Sequence, residues 1–251
     1  LHPAAAASAR GDARTRVIQR RERTVSKGQD HETVTGACGP GLFITFEGVE
    51  GAGKSTQIGL AVEWLQQRGH AVYVTREPGG GPLAERIRDL ILHTEDDPPV
   101  ARAELLLMLA ARAQHVDTVI RPRLARGETV VCDRFYDSTI AYQGFARGLD
   151  LDFVRGSVEF AVDGLHPDLT IVLDLEPAEG LARQQARNRM EAEKLAFHEA
   201  VRRGFLDQAA REPERIRVVS AAGAVEDVTA RVAAVLEEAL WPARSGARCN
   251  T

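Results

Sequence analysis

The stretch FITFEGVEGAGKST, residues 43–56, limits what this chain can fold into more than any other. A run of apolar β-formers stops abruptly at glycines, an acid, a lysine and two hydroxyls, and a helix-like segment follows. Gly48, Gly53, Lys54 and Ser55 fit G-x-x-x-x-G-K-[ST], with Val49, Glu50, Gly51 and Ala52 in the free positions and Thr56 directly after. Glycines let the backbone turn tightly enough for its N–H groups to converge on phosphate oxygens. The following helix adds the positive end of its dipole at the same spot. In such a loop the lysine reaches the β- and γ-phosphates and the hydroxyl of Ser55 holds Mg²⁺. Residues 48–56 are therefore expected to bind a nucleoside triphosphate.

The rest of the chain repeats the strand-then-helix alternation. Short β-branched runs occur at LFITF (42–46), AVYVT (71–75), TVVCD (129–133), LTIVLDL (169–175) and IRVVS (216–220). Helical stretches separate them: STQIGLAVEWLQQRG ending at Gly69, PLAERIRDLILH, one long stretch RAELLLMLAARAQHVDTVIRPRLARG, and AVEDVTARVAAVLEEAL. Continuous apolar strands alternating with helices indicate an α/β fold, a five-stranded parallel sheet covered on both faces in three α/β/α layers. One domain is expected over residues 41–240. The first 40 residues carry six arginines between Arg10 and Arg23 and no usable periodicity, so disorder is expected there; a start site placed too far upstream or an expression remnant is the favoured reading over a transit peptide. The tail 241–251 reads as frayed.

Composition excludes several classes. A formal charge of −4 gives no reason to expect a nucleic-acid polymer as partner, and no apolar run is long enough to span a membrane. Cys38, Cys132 and Cys249 are scattered without metal-ligand spacing, an odd and sparse set that suits a reducing cytoplasm.

The triphosphate loop alone does not name a reaction. No N-K-x-D guanine-reading element is present, and the strand at 129–133 ends in Asp133-Arg134 rather than Asp-Glu. At a strand's carboxyl edge beside the loop, such an acid suits a water shell around Mg²⁺ and the arginine an additional phosphate. Arg88, Arg112, and the trio Arg183, Arg187 and Arg189 add more cations than one triphosphate requires. Singly, each reads as a solvated charge. Together they indicate a site for two phosphate-bearing substrates.

This set of segments resembles bacterial thymidylate kinases: FEGVEGAGKST, TREPGG, AERIR, LLLMLAAR, CDRFYDSTIAYQG, GLHPDLTIVLDL and NRMEAEKLAFHEAVRRGFL. The likeness spans roughly residues 41 to 240. It implies a P-loop fold with a short helical lid at about 180–195, a homodimer, and transfer of a phosphoryl group from ATP to dTMP. It also implies that Glu50 approaches the sugar 3′-hydroxyl and that Arg134 and Arg88 clamp the acceptor phosphate. Asp133 then serves the metal and phosphates, Arg112 reads a thymine carbonyl, and Thr139 and Gln143 touch the base edge. Tyr142 fills the place of a ribose 2′-hydroxyl. Gly51 stands where other branches carry a loop arginine, so the transition-state cation is expected from the lid, with Arg183 and Arg189 matching by position. The chain departs from the family at Met108, where a phenylalanine platform for thymine is common, and in a lid about four residues shorter.

No Ser-His-Asp or Cys-His set is evident, and none is required. A phosphate monoester has a second pKa of about 6, so its oxygen is already largely deprotonated at neutral pH. Positioning and cations then carry the reaction: Mg²⁺, Lys54, Arg134 and the lid arginines. The other readings are a kinase for a different acceptor and a nucleotide-binding regulatory protein of the same fold that has lost catalysis.

Overall fold

The computed structural model describes residues 41–94, 96–183 and 193–240. The expected extension at 1–40, the tail at 241–251, and Arg187 and Arg189 lie outside them. Five parallel strands form one sheet in the order β2-β3-β1-β4-β5: β1 (Phe43–Gly48), β2 (Val72–Arg76), β3 (Thr129–Asp133), β4 (Leu169–Asp174) and β5 (Ile216–Ser220). All five lie within a residue or two of the runs read from the sequence. Helices α1 (Lys54–Gln67), α2 (Pro82–His93), α3 (Ala101–His115), α4 (Arg121–Ala125), α5 (Tyr136–Thr139), α6 (Leu151–Val162), α7 (Pro177–Ala182), α8 (Leu195–Arg211) and α9 (Val225–Leu240) connect and cover them.

Strand alternation sends successive side chains to opposite faces, and both faces are buried. Ile44 and Phe46 join Ile58 and Leu65 of α1 and Leu236 of α9 in one core cluster. Phe43, Val130 and Cys132 face the other way and join Leu105 of α3 with Val154 and Val158 of α6. Burying these side chains contributes roughly 1.5–3 kcal/mol each, so the central strands are held from both sides.

The single helix expected from Arg102 to Gly127 is interrupted. After α3, residues Val116–Ile120 adopt the wider π-type turn, and α4 restarts with Pro122 in its first turn. Proline has no N–H to donate and its ring opposes the carbonyl four residues back, so the regular ladder cannot run through it. A second π segment, Ile140–Ala146, follows α5 directly. Helices α6 and α8 add to those that periodicity indicated. Asp150 caps α6 by accepting from the Phe153 N–H at 2.8 Å.

The register explains where a site can form. Phe46 stands beside Asp133, and Gly48 beside Leu173. The segments leaving β1 and β3 therefore emerge side by side at the carboxyl edge of the sheet, the usual ligand position in open α/β folds.

Candidate active site

That edge opens into a cleft of about 520 Å³. Of the residues expected at the site, Glu50, Gly51, Gly53, Lys54, Ser55, Thr56, Arg88, Met108, Arg112, Asp133, Arg134, Thr139, Tyr142, Gln143 and Arg183 all line it. Gly48, Val49 and Ala52 lie behind the lining. The carbonyls of Gly48 and Val49 each accept from Lys54 Nζ at 3.1 Å, and the Ala52 N–H turns back to Val49 O. Burial, and then the neighbouring Arg134, lower the Lys54 ammonium pKa. Its charge is thus tethered to the loop backbone at the mouth of α1.

Gly51 and Gly180 meet backbone to backbone. A side chain at Gly51, which has φ +74°, would place its Cβ 2.1 Å from the Gly180 carbonyl oxygen. One at Gly180 would come equally close to the Glu50 carbonyl. The triphosphate loop and α7, the stem of the expected lid, are therefore in direct contact. Arg183 follows α7 and pairs with Glu179 one turn back.

Arg134 sits at φ 68°, a left-handed conformation uncommon for a residue with a side chain. Such outliers persist where the surroundings over-determine them, and here they do. Its backbone N–H donates to Phe46 O at 2.9 Å, and its guanidinium donates to Glu50 Oε1 at 2.6 Å, to Gly48 O at 3.1 Å and to Ser138 Oγ at 3.1 Å. The Asp133-Arg134 pair is thus not a surface salt bridge; the partner of Arg134 is the loop acid Glu50. Burial would raise the Glu50 carboxyl, but Arg134 and Lys54 outweigh it and hold it down to about 2. Tyr142 donates to the same Glu50 oxygen at 2.8 Å. Asp133 Oδ1 is buried in the cleft wall without a protein partner among the described residues.

Arg112 is no solvated charge either. It is 2% exposed, with Nε donating to Glu77 Oε2 at 2.8 Å and Nη1 to Thr139 Oγ1 at 2.9 Å. The second Glu77 oxygen lies 3.0 Å from His115 Nδ1, whose other nitrogen meets Thr75 Oγ1 at 2.7 Å. Arg88 donates to Pro78 O at 2.8 Å. Met108 lies in the cleft wall and packs against the small cluster of Ala84, Ile87, Ile91 and Ala111.

Two carboxylates here were not read from the sequence. Glu77 lies inside the quoted TREPGG, but only its fully buried pairing with Arg112 reveals its task. Glu47 points to the face of β1 opposite Phe46 and accepts from the Phe135 N–H at 2.7 Å and from Ser138 Oγ at 2.6 Å. Burial, and then Asp137, push its carboxyl up to about 7. An acid at an inward strand position was the available signal.

The thymidylate kinase family model matches residues 46–232. The chain belongs to the thymidylate kinase family. It is 52% identical over 205 residues to the thymidylate kinase of Synechococcus sp. (strain JA-2-3B'a(2-13)), covering 82% of this chain and 98% of that one. It is 47% identical over 205 residues to that of Bacillus pumilus (strain SAFR-032), covering 80% and 97%. The crystal structure of thymidylate kinase from Ehrlichia chaffeensis superposes with a TM-score of 0.64 at 35% identity, over 78% of this chain and 99% of that chain. The fold is accordingly the P-loop three-layer arrangement expected.

Proposed function

We infer that this enzyme transfers the γ-phosphate of ATP to dTMP, giving ADP and dTDP. Family membership carries the reading, and one cleft that joins the triphosphate loop to a buried arginine-lined pocket supports it. Lys54 and the loop N–H groups, Gly48 to Thr56, take the triphosphate. Arg134 and Arg88 hold the acceptor phosphate, with Glu50 between them and the sugar. Arg112, Thr139 and Gln143 read the base over Met108, and Tyr142 closes the sugar side. Both phosphates are anionic, so the chain's task is to hold donor and acceptor in line and compensate charge.

Ser55 and Asp133 would hold Mg²⁺, largely through water and phosphates, and the partnerless buried Asp133 Oδ1 fits that use. The ion would supply charge neutralisation on the transferring phosphates. Arg183 is the described lid cation that faces the cleft, and we assign it, with Arg189, to transition-state charge. A homodimer in the cytoplasm completes the reading. Leu106, Phe153 and Phe160, 62%, 63% and 88% exposed on α3 and α6, suit such an interface. The intact loop, clamp and base pocket give no support to a catalytically impaired regulator.

A coupled assay of ADP release decides the matter. Turnover should require both ATP and dTMP, with thymidine inactive as acceptor. ATP consumption independent of dTMP would remove the assignment.

A further inference from the structure

Behind Gln143, outside the cleft lining, lies a further buried carboxylate with no role in the reading above. Glu104, on α3, is 0% exposed, and its Oε1 accepts from Gln143 Nε2 at 2.9 Å. Arg147 approaches from the other side, 3.4 Å from both Glu104 oxygens. Arg147 in turn donates to Glu193 at 2.6 Å and lies 4.6 Å over the Phe197 ring at the start of α8. Gln143 is 1% exposed and lines the cleft, and its Oε1 is buried without a partner among the described residues.

A side-chain amide can turn over and exchange its donor and acceptor ends, so an isolated glutamine reads a base ambiguously. A carboxylate accepts only, and a guanidinium donates only. With Glu104 held between Arg147 and Gln143, the amide nitrogen of Gln143 must face Glu104. The carbonyl oxygen is then the end left for the pocket. Thymine and uracil carry an N–H at ring position 3, whereas cytosine carries a lone pair there. Against a locked carbonyl, thymine gains a hydrogen bond, while cytosine opposes acceptor to acceptor and leaves a buried group unpaired.

We propose that Glu104 is a specificity-determining positioning residue that locks the Gln143 amide in one orientation and thereby selects bases with a ring N–H over cytosine. The proposal rests on the assignment of this pocket to the base of dTMP. Glu104 acts through Gln143 and touches no reacting atom.

The test compares kcat/KM for dTMP and dCMP in the wild type and in Glu104→Gln. A glutamine at 104 can present nitrogen to Gln143, which frees the second amide to turn over. The wild type should favour dTMP by about 10³-fold or more, since a site built to hydrogen-bond rejects its mispaired analogue strongly. Glu104→Gln should narrow that ratio at least about tenfold through KM, leaving KM for ATP within about twofold. Adding Glu104→Gln to Gln143→Leu should change the ratio no further, because the amide it acts through is gone. Equal losses for both nucleotides in Glu104→Gln would mark a merely structural residue and overturn the proposal. A wild type inactive with dTMP would instead overturn the functional assignment. Should Glu104→Gln fail to fold, the wild type still answers by NMR. The Gln143 amide protons, assigned by their absence in Gln143→Leu, should exchange slowly with solvent, and exchange as fast as in a free glutamine would defeat the proposal.

Discussion

The glycine-rich loop and the proposed acceptor side of the cleft hold their positive charge by different means. In the loop, Lys54 is tethered to the Gly48 and Val49 carbonyls, within six residues of chain. Across the cleft, three donor groups lean on carboxylates brought from far away, while Arg88 donates to the Pro78 carbonyl. Arg134 pairs with Glu50, Arg112 with Glu77, and the Gln143 amide with Glu104. A backbone cradle is rebuilt wherever the loop turns correctly. A side-chain cradle exists only once the fold is complete, and it loses its geometry when any one partner goes. The acceptor side should therefore tolerate substitution least, in stability as well as rate.

The largest effect that would sharpen this contrast is expected from Glu77→Ala. It strands Arg112 and His115 in the interior without their carboxylate, and breaking a buried pair costs about 3–5 kcal/mol. Chemical denaturation should register that loss, and a loss under about 1 kcal/mol would show that the acceptor side does not depend on its carboxylates.

Next comes Glu47, the carboxyl held at about 7. A carboxyl whose pKa is raised on folding stabilises fully below the ordinary value of 4.5 and loses that contribution as pH rises through 7. Between pH 4.5 and 8 the wild type should lose stability relative to Glu47→Gln, on the order of a few kcal/mol at most. Denaturation curves at pH 4.5, 6, 7 and 8 measure this directly, and parallel profiles would mean that the carboxyl titrates normally.

Arg134→Ala follows. It should lower kcat/KM for dTMP at least about a hundredfold, because a charge-assisted and partly desolvated contact is lost, with little change in ATP binding. Equal damage to both substrates would erase the distinction between the two sides. The smallest effect is expected from Met108→Phe, which exchanges a flexible thioether for a flat ring in the cleft wall. KM for dTMP should stay within about threefold or fall, and a large rise would place the base elsewhere.

The same contrast explains what could be read in advance. Strands β1 to β5 and the triphosphate loop are written in consecutive residues, as periodicity and as a spacing motif. Arg88, Arg112 and Arg134 were legible as surplus cations and Gln143 through family resemblance. Their partners were not, because Glu77 and Arg112 stand 35 positions apart and Glu50 and Arg134 stand 84 apart. Local pattern cannot report such pairings. Nor could periodicity alone foresee the break at Val116–Ile120, where one proline outweighs a long helical run, or the π segment that turns Tyr142 and Gln143 toward the cleft.

Gly51 and Gly180 bear on how such an enzyme can change over generations. Any side chain at one position collides with backbone at the other, so neither residue can drift alone without forcing loop and stem apart. An arginine placed at Gly51 would not simply add a cation to the loop; it would first have to expel α7. A descendant of this chain could move a charged group from the lid to the loop only by passing through an ancestor with a displaced stem. The two glycines thus act as a historical ratchet, each holding the other in place.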